Sequence, residues 1–183
     1  PYIGVEEMDE KGQFPSYVFR GYKSDIFEGG HRIPFLARWP NRIEAGSSSD
    51  ETICLTDLLK TCAAINDVNL TSLAGEDSYN ILPALVGDNL DSPIREATIA
   101  TAGNGAFSVR QGRWKLELTG STGGYGNIAE EEVIAQGLPS VQLYDLENDI
   151  GETNNLYAEY PDVINRLTAL LEGYRASGRS TPI

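Results

Sequence analysis

A glycine pair that leads into an apolar run closed by proline is the feature that most constrains this chain. The stretch reads Gly21-Tyr22-Lys23-Ser24-Asp25-Ile26-Phe27-Glu28-Gly29-Gly30-His31-Arg32-Ile33-Pro34-Phe35-Leu36-Ala37-Arg38-Trp39-Pro40. Adjacent glycines let the backbone adopt positive φ or approach another group closely. Residues 33–39, ended by Pro40, predict one buried strand. A charged loop that feeds a buried strand is a common way to hold a polar side chain over a cleft.

The rest of the pattern predicts a mixed α/β chain. Residues 1–21 are polar and punctuated by Gly and Pro, which predicts a long loop with at most a short strand at residues 17–19. Leu55, Leu58, Leu59 and Cys62 recur at helical spacing, with Thr56 as the expected N-cap and Asp57 in the first turn, where the helix dipole favours a carboxylate. A short helix is expected at residues 81–86 and a strand at residues 96–100. Phe107 and Val109 share one phase of alternation, whereas Trp114, Leu116 and Leu118 share the other. The phase changes across Gln111-Gly112, as a tight hairpin requires. Residues 119–140 form a Gly-rich, then acidic excursion, and residues 141–146 resume as a strand. Pro161 suits the first turn of a last helix, whose apolar stripe is Val163, Ile164, Leu167, Leu170, Leu171 and Tyr174, stopped by Gly178. An amphipathic helix beside antiparallel strands makes a two-layer lobe.

Charge narrows the partners. The formal net charge is −13. That opposes a broad nucleic-acid contact, which concentrates Lys and Arg, and it leaves room for a small anion held in a local cationic pocket. No apolar run approaches the ~20 residues of a membrane span. No basic-then-apolar leader precedes Pro1, and the chain reads as a piece of a longer one. Cys54 and Cys62, on one predicted helix, would sit roughly 12 Å apart, beyond disulfide reach, and are expected as small buried hydrophobes.

The pattern Lys23-x4-Glu28-Gly29-Gly30-x-Arg32-x-Pro34, followed by an apolar run and Trp39-Pro40, resembles the signature that follows the metal site in type I sulfatases. Leu55-Thr56-Asp57-Leu58-Leu59, Val109-Arg110-Gln111-Gly112-Arg113-Trp114-Lys115-Leu116 and Leu143-Tyr144-Asp145-Leu146 resemble the same family in the same order. The resemblance implies the C-terminal part of an alkaline-phosphatase-like sulfatase fold, ending in a small antiparallel sheet packed on a C-terminal helix. Residues 1–92 would be a remnant of the main α/β domain, carrying the active-site Lys loop, an edge strand and a helix. Residues 93–183 would be the C-terminal sheet-and-helix subdomain. Lys60 stands where the family usually has Pro, a departure expected to alter helix geometry rather than chemistry.

By the resemblance, Lys23 is the catalytic candidate, since the family places a sulfate-contacting Lys at the matching position. An ammonium aimed at the sulfuryl oxygens stabilises the charge that ester cleavage develops there. The alternative is an exposed surface lysine. For Glu28 and Arg32, a catalytic carboxylate and an oxyanion clamp compete with the favoured supporting role, in which Glu28 accepts N–H groups of its own loop, Arg32 ties the strand to a neighbour, and both fix where Lys23 points. His31 and Asn104 are substrate-binding candidates. For each a structural role competes: a strand-edge His on apolar neighbours, and a turn Asn. Related sulfatases carry polar or His residues where Ala100, Thr101 and Ala102 stand, which leaves the substrate preference open. Asp145, Asp149, Glu152 and Asn154 lack the spacing of a calcium loop and suit Asx-turns and caps.

The Cys/Ser-x-Pro-x-Arg motif from which the family makes its formylglycine nucleophile is absent, as is the carboxylate cluster for its Ca2+. The chain alone is therefore expected to bind no cofactor and to be inactive. The N-terminal part of its own enzyme would supply calcium and formylglycine for attack on the sulfate ester of a small molecule or a sulfated glycan. Neither nucleic acid nor membrane is an expected partner, and the resemblance fits a secreted or periplasmic parent. Two rivals stay open: part of a phosphodiesterase or phosphonate hydrolase of the same superfamily, or a non-catalytic carbohydrate-binding module.

Overall fold

The computed structural model describes residues 4–124 and 128–182. Residues 1–3 of the expected N-terminal loop and 125–127 of the Gly-rich stretch lie outside them. The chain divides into two compact units, Pro1–Ile33 with Ile99–Leu171, and Pro34–Thr98 with Glu172–Ile183.

The first unit is built on one sheet. Strands β1 (Thr98–Thr101), β2 (Phe107–Gln111), β3 (Trp114–Glu117) and β4 (Gln142–Asp145) lie in sequence order. β2–β3 and β3–β4 are antiparallel, with Val109 opposite Leu116 and Leu116 opposite Leu143. The β2–β3 turn falls on Gly112 and Arg113, with Gly112 at φ 58°, where a side chain is disfavoured. The register puts Val109, Leu116 and Leu143, all 0% exposed, on one face. The C-terminal helix α6 (Pro161–Ser177) packs against the sheet, burying Val163, Leu167 and Leu171 and setting Tyr160 beside Trp114 with ring centroids 4.9 Å apart. Gly178 ends α6 at φ 69°.

The opposite face of the sheet is buried but polar. Ser108 and Arg110 of β2, Lys115 and Glu117 of β3, and Gln142 and Tyr144 of β4 alternate with the apolar set. Over it lie the loop of residues 20–27 and the short helix α2 (Glu28–His31). Ile26, Phe27, Ala102, Tyr144 and Leu146 form a small apolar core beside it. Two more helices complete the unit. α5 is Glu130–Ala135, and α1 is Val5–Glu10, which replaces the expected loop there. Val5 of α1 is 3% exposed, so burial of an apolar anchor stabilises a turn that polar composition alone concealed.

In the second unit, Leu55–Asp57 form a 3-10 turn that leads into α3 (Leu58–Ile65), and α4 is Leu82–Val86. Here the sequence reading is corrected at three points. The 3-10 turn is capped at Cys54 and α3 at Asp57, rather than at Thr56, and Asp57 accepts the Cys54 N–H at 2.7 Å. Asp57 and Thr61 face inward, because Asp57 also accepts from Tyr79 N–H and pairs with Arg95, while Thr61 accepts from Ile81 N–H. The expected core stripe is therefore turned outward: Leu55, Leu58 and Leu59 are 61%, 40% and 51% exposed, and Cys62 is exposed too. Cys54 is half-buried.

The third correction concerns residues 33–39. They form no strand and are largely exposed, Leu36 at 94%. Within the described residues, no backbone N–H or C=O of residues 33–38 is hydrogen-bonded. Propensity alone does not make a strand; it needs a neighbouring ladder, and none lies beside this segment. No helix of the described residues is long and apolar enough to cross a membrane.

Candidate functional site

Lys23 lies in a tight turn, Tyr22 to Asp25, closed by Asp25 N–H donating to Tyr22 O at 2.9 Å. The Asp25 carboxylate accepts back from Tyr22 N–H at 2.8 Å, and the Tyr22 hydroxyl donates to Asp9. That last bond is the main reason the Tyr22 pKa is pushed up to about 12. Ser24, at φ 84°, bends the chain sharply just after Lys23. The ammonium itself is exposed, with no ion pair or side-chain hydrogen bond among the described residues.

Glycines make the turn possible by close approach. Neither Gly29 nor Gly30 has positive φ. A Cβ on Gly30 would lie 2.0 Å from Asp25 O, and one on Gly29 would lie 2.3 Å from Gly21 O. A Cβ on Gly124 would likewise lie 2.0 Å from Asp25 Oδ1. Since the crowded atoms at the pair are backbone, Gly30→Ala should destabilise the first unit by at least about 1–3 kcal/mol. Urea denaturation checks this, and an unchanged midpoint would show that the turn yields freely.

The sequence candidates fall on neighbouring loops. Gly103 N–H donates to Ser24 O at 2.8 Å, so the turn carrying Asn104 abuts the Lys23 turn. Asn104 Oδ1 accepts from Ala106 N–H at 2.9 Å, which gives Asn104 a turn-forming bond. His31 ends α2, with Nε2 3.2 Å from Ile26 O and 3.3 Å from Lys115 Nζ. Its side chain is 31% exposed. Burial, and next the Lys115 charge, push the imidazole down to about 4, so it is neutral at neutral pH.

Beneath the turn lies a group that sequence reasoning missed. Lys115, 0% exposed, stands among three glutamates: Glu152 Oε1 at 2.7 Å, Glu28 Oε1 at 3.2 Å and Glu117 Oε1 at 3.3 Å. Burial would lower the pKa of the ammonium, but the charges of Glu117, Glu152 and Glu28 outweigh it and hold it above its ordinary value. Burial also pushes the Glu28 carboxyl up, but Lys115, His31 and Arg110 more than reverse this and keep it below the ordinary range. Glu28 thus pairs with Lys115, and also with Arg32 at 3.1 Å, rather than with N–H groups of its own loop. Arg32 additionally lies over the Phe19 ring. The available signal was Lys115-Leu116-Glu117, two opposite charges at period 2 inside a strand with apolar neighbours on both sides.

Glu117 is the odd member. It is 0% exposed, and among the described residues its carboxyl oxygens make no well-aligned hydrogen bond, with the Lys115 ammonium 3.3 Å from Oε1. Burial foremost holds its pKa well above the usual carboxylate range, against the pull of Lys115. The folded chain therefore keeps this proton after the unfolded chain has released its own, so stability falls as pH rises above the ordinary glutamate value. Glu117→Gln removes that slope. The variant should gain stability relative to the parent chain from pH 4 to pH 8, as read by urea denaturation across that range; a constant difference would contradict a buried neutral Glu117.

No set of three or more His, Cys, Asp or Glu side chains among the described residues is arranged to hold a metal. The dense carboxylate cluster is filled by the Lys115 ammonium, so these residues do not fit calcium. Asp145 instead pairs with Arg113, whose hydrogen bond is the main reason its carboxyl drops to about 2. Asp149 accepts from the N–H groups of Thr153 and Asn154, and Glu152 belongs to the Lys115 cluster.

No protein-family model matches the chain. An N-acetylgalactosamine-6-O-sulfatase of Bacteroides thetaiotaomicron is 29% identical over 164 residues, covering 90% of this chain and 31% of its own length. An arylsulfatase of Hemicentrotus pulcherrimus is 27% identical, covering 91% and 33%. A solved structure from work on the metabolism of multiple glycosaminoglycans by Bacteroides thetaiotaomicron superposes with a TM-score of 0.78 at 28% identity, over 96% of this chain and 35% of that one. The chain thus spans about a third of the length of the relatives it matches. Over most of its length the chain is thus similar in sequence to sulfatases, and its antiparallel sheet with the C-terminal helix matches an alkaline-phosphatase-like sulfatase module.

Proposed function

We propose that the chain is the C-terminal part of a sulfuric ester hydrolase, and that Lys23 holds the oxygens of the sulfate ester. The carrying observation is the exposed Lys23 ammonium, without a carboxylate partner among the described residues, on a turn fixed by glycine-to-backbone contacts. A cation kept free in a chain of net charge −13 is available to an anionic ligand. Asn104, one turn away, is a second contact to the ester, and neutral His31 lines the same loop without proton chemistry.

The nucleophile and metal ligands lie in the remaining part of the polypeptide, which the resemblance equips with formylglycine and calcium. Two surfaces of the second unit support this division. One is residues 34–37, apolar and without a backbone hydrogen bond among the described residues. The other is the outward leucine stripe of Leu55, Leu58 and Leu59. Both have the chemistry of an interior: an apolar extended segment without a ladder and a helix face without a cover. The main-domain share of the chain would be residues 1–92, seated on the rest of that domain. The N-acetylgalactosamine-6-O-sulfatase and arylsulfatase relatives leave the ester class at aryl or glycan sulfate.

The experiment is a comparison of two polypeptides. The 183-residue chain with calcium should turn over no aryl sulfate, whereas the complete polypeptide should. Turnover by the chain alone, or its absence from the complete polypeptide, overturns the reading.

A further inference from the structure

We propose that Lys115, with Glu28 and Glu152, is a buried positioning device that sets the place of the Lys23 ammonium, and so acts on the bound anion through the backbone without touching it. The inference rests on the reading of Lys23 as an anion contact. Lys115 is 0% exposed, which rules out direct contact with a ligand. Its two short links both end on the first residue of α2. Glu28 Oε1 is 3.2 Å from Lys115 Nζ; Glu152 Oε1, at 2.7 Å, accepts from it, while Glu152 Oε2 accepts the Glu28 N–H at 2.7 Å. Helix α2 is thereby held by main chain and side chain at once.

The next residues transmit that hold. Gly29 N–H donates to Arg20 O at 2.8 Å, and Gly30 lies so close under Asp25 O that no Cβ fits. Arg20 closes the circuit: Nη1 donates to Glu152 O at 2.8 Å, and the guanidinium lies 3.8 Å over the Phe27 ring. The Lys23 turn is therefore bounded on both sides by chain tied to the same ammonium. The remaining groups around Lys115 are Arg110 of β2, Glu117 of β3, Tyr144 of β4 and His31 of α2. Among them Glu117 touches neither α2 nor the turn through a hydrogen bond, which makes it the internal control.

The test uses the 183-residue chain, its Glu28→Gln, Glu152→Gln, Glu117→Gln and Lys115→Arg variants, and inorganic sulfate as probe. Amide exchange is followed by NMR at Asp25, Gly29 and Gly30, with β2 and β3 as the reference, and the Lys23 side-chain signal is titrated with sulfate. Glu152→Gln and Glu28→Gln should speed exchange in the turn at least tenfold beyond any change in β2 and β3, and weaken the sulfate response of Lys23 at least threefold. Glu117→Gln should do neither, and Lys115→Arg should retain part of the protection. Equal acceleration in turn and strands means a merely global effect and overturns the proposal, as does an unchanged Lys23 response after the turn loosens. If Lys23 of the parent chain ignores sulfate while Lys23→Ala and parent behave alike, the anion reading fails. In that case the proposal that Lys115 acts on a bound anion falls with it, and the exchange pattern shows separately whether the cluster holds the turn.

Discussion

Lys115→Met should destabilise the first unit by about 3–5 kcal/mol, because it leaves two buried carboxylates without their cation. The side chains of Glu28 and Glu152 are 2% and 0% exposed, so water cannot replace the lost partner. Met fills most of the lysine volume, so the loss reports charge rather than a cavity. Part of the penalty is relieved if Glu28 takes up a proton, which would make the defect smaller at pH 5 than at pH 8. Chemical denaturation at both pH values measures this. A loss under about 1 kcal/mol would mean that the three glutamates do not depend on this ammonium.

The second large effect concerns catalysis by the complete polypeptide. Lys23→Ala should lower kcat/KM on an aryl sulfate by about 100- to 1000-fold, the usual consequence of deleting one preorganised group that meets developing oxyanion charge. Stability should hardly change, since the ammonium is exposed and makes no ion pair among the described residues. Lys23→Arg should recover only part of the rate, because a planar guanidinium does not occupy the point position of an ammonium. Steady-state kinetics with a melting curve separates the outcomes. Activity within threefold of the parent would remove Lys23 from the site.

Much of the fold was legible. The phase change near Gln111 and Gly112 announced the β2–β3 hairpin, and the stripe of Val163, Leu167 and Leu171 announced α6. These features are local, with both partners within a few residues or along one helix face, so periodicity records them. The outward face of α3 was not legible, because its direction is decided by Asp57 and Thr61 bonding to Tyr79, Ile81 and Arg95, well over ten residues away. Of the candidate site, the Lys23 turn and its glycine pair were visible as a motif. The Lys115 cluster was not, since residues 28, 115, 117 and 152 meet only when the sheet forms.

By itself the sequence determined the order of the elements, the hairpin, the last helix, the anionic charge and the resemblance to sulfatases. Those follow from nearest-neighbour chemistry and from side-chain period. Only the tertiary structure decided that the glycine pair serves close approach rather than positive φ, that Glu28 answers to a lysine in a distant strand, and that residues 33–38 find no backbone partner among the described residues. The reason is the same in each case: a close contact, a buried ion pair and a backbone ladder are each completed by atoms remote in the chain, and which atoms those are is settled when the chain packs.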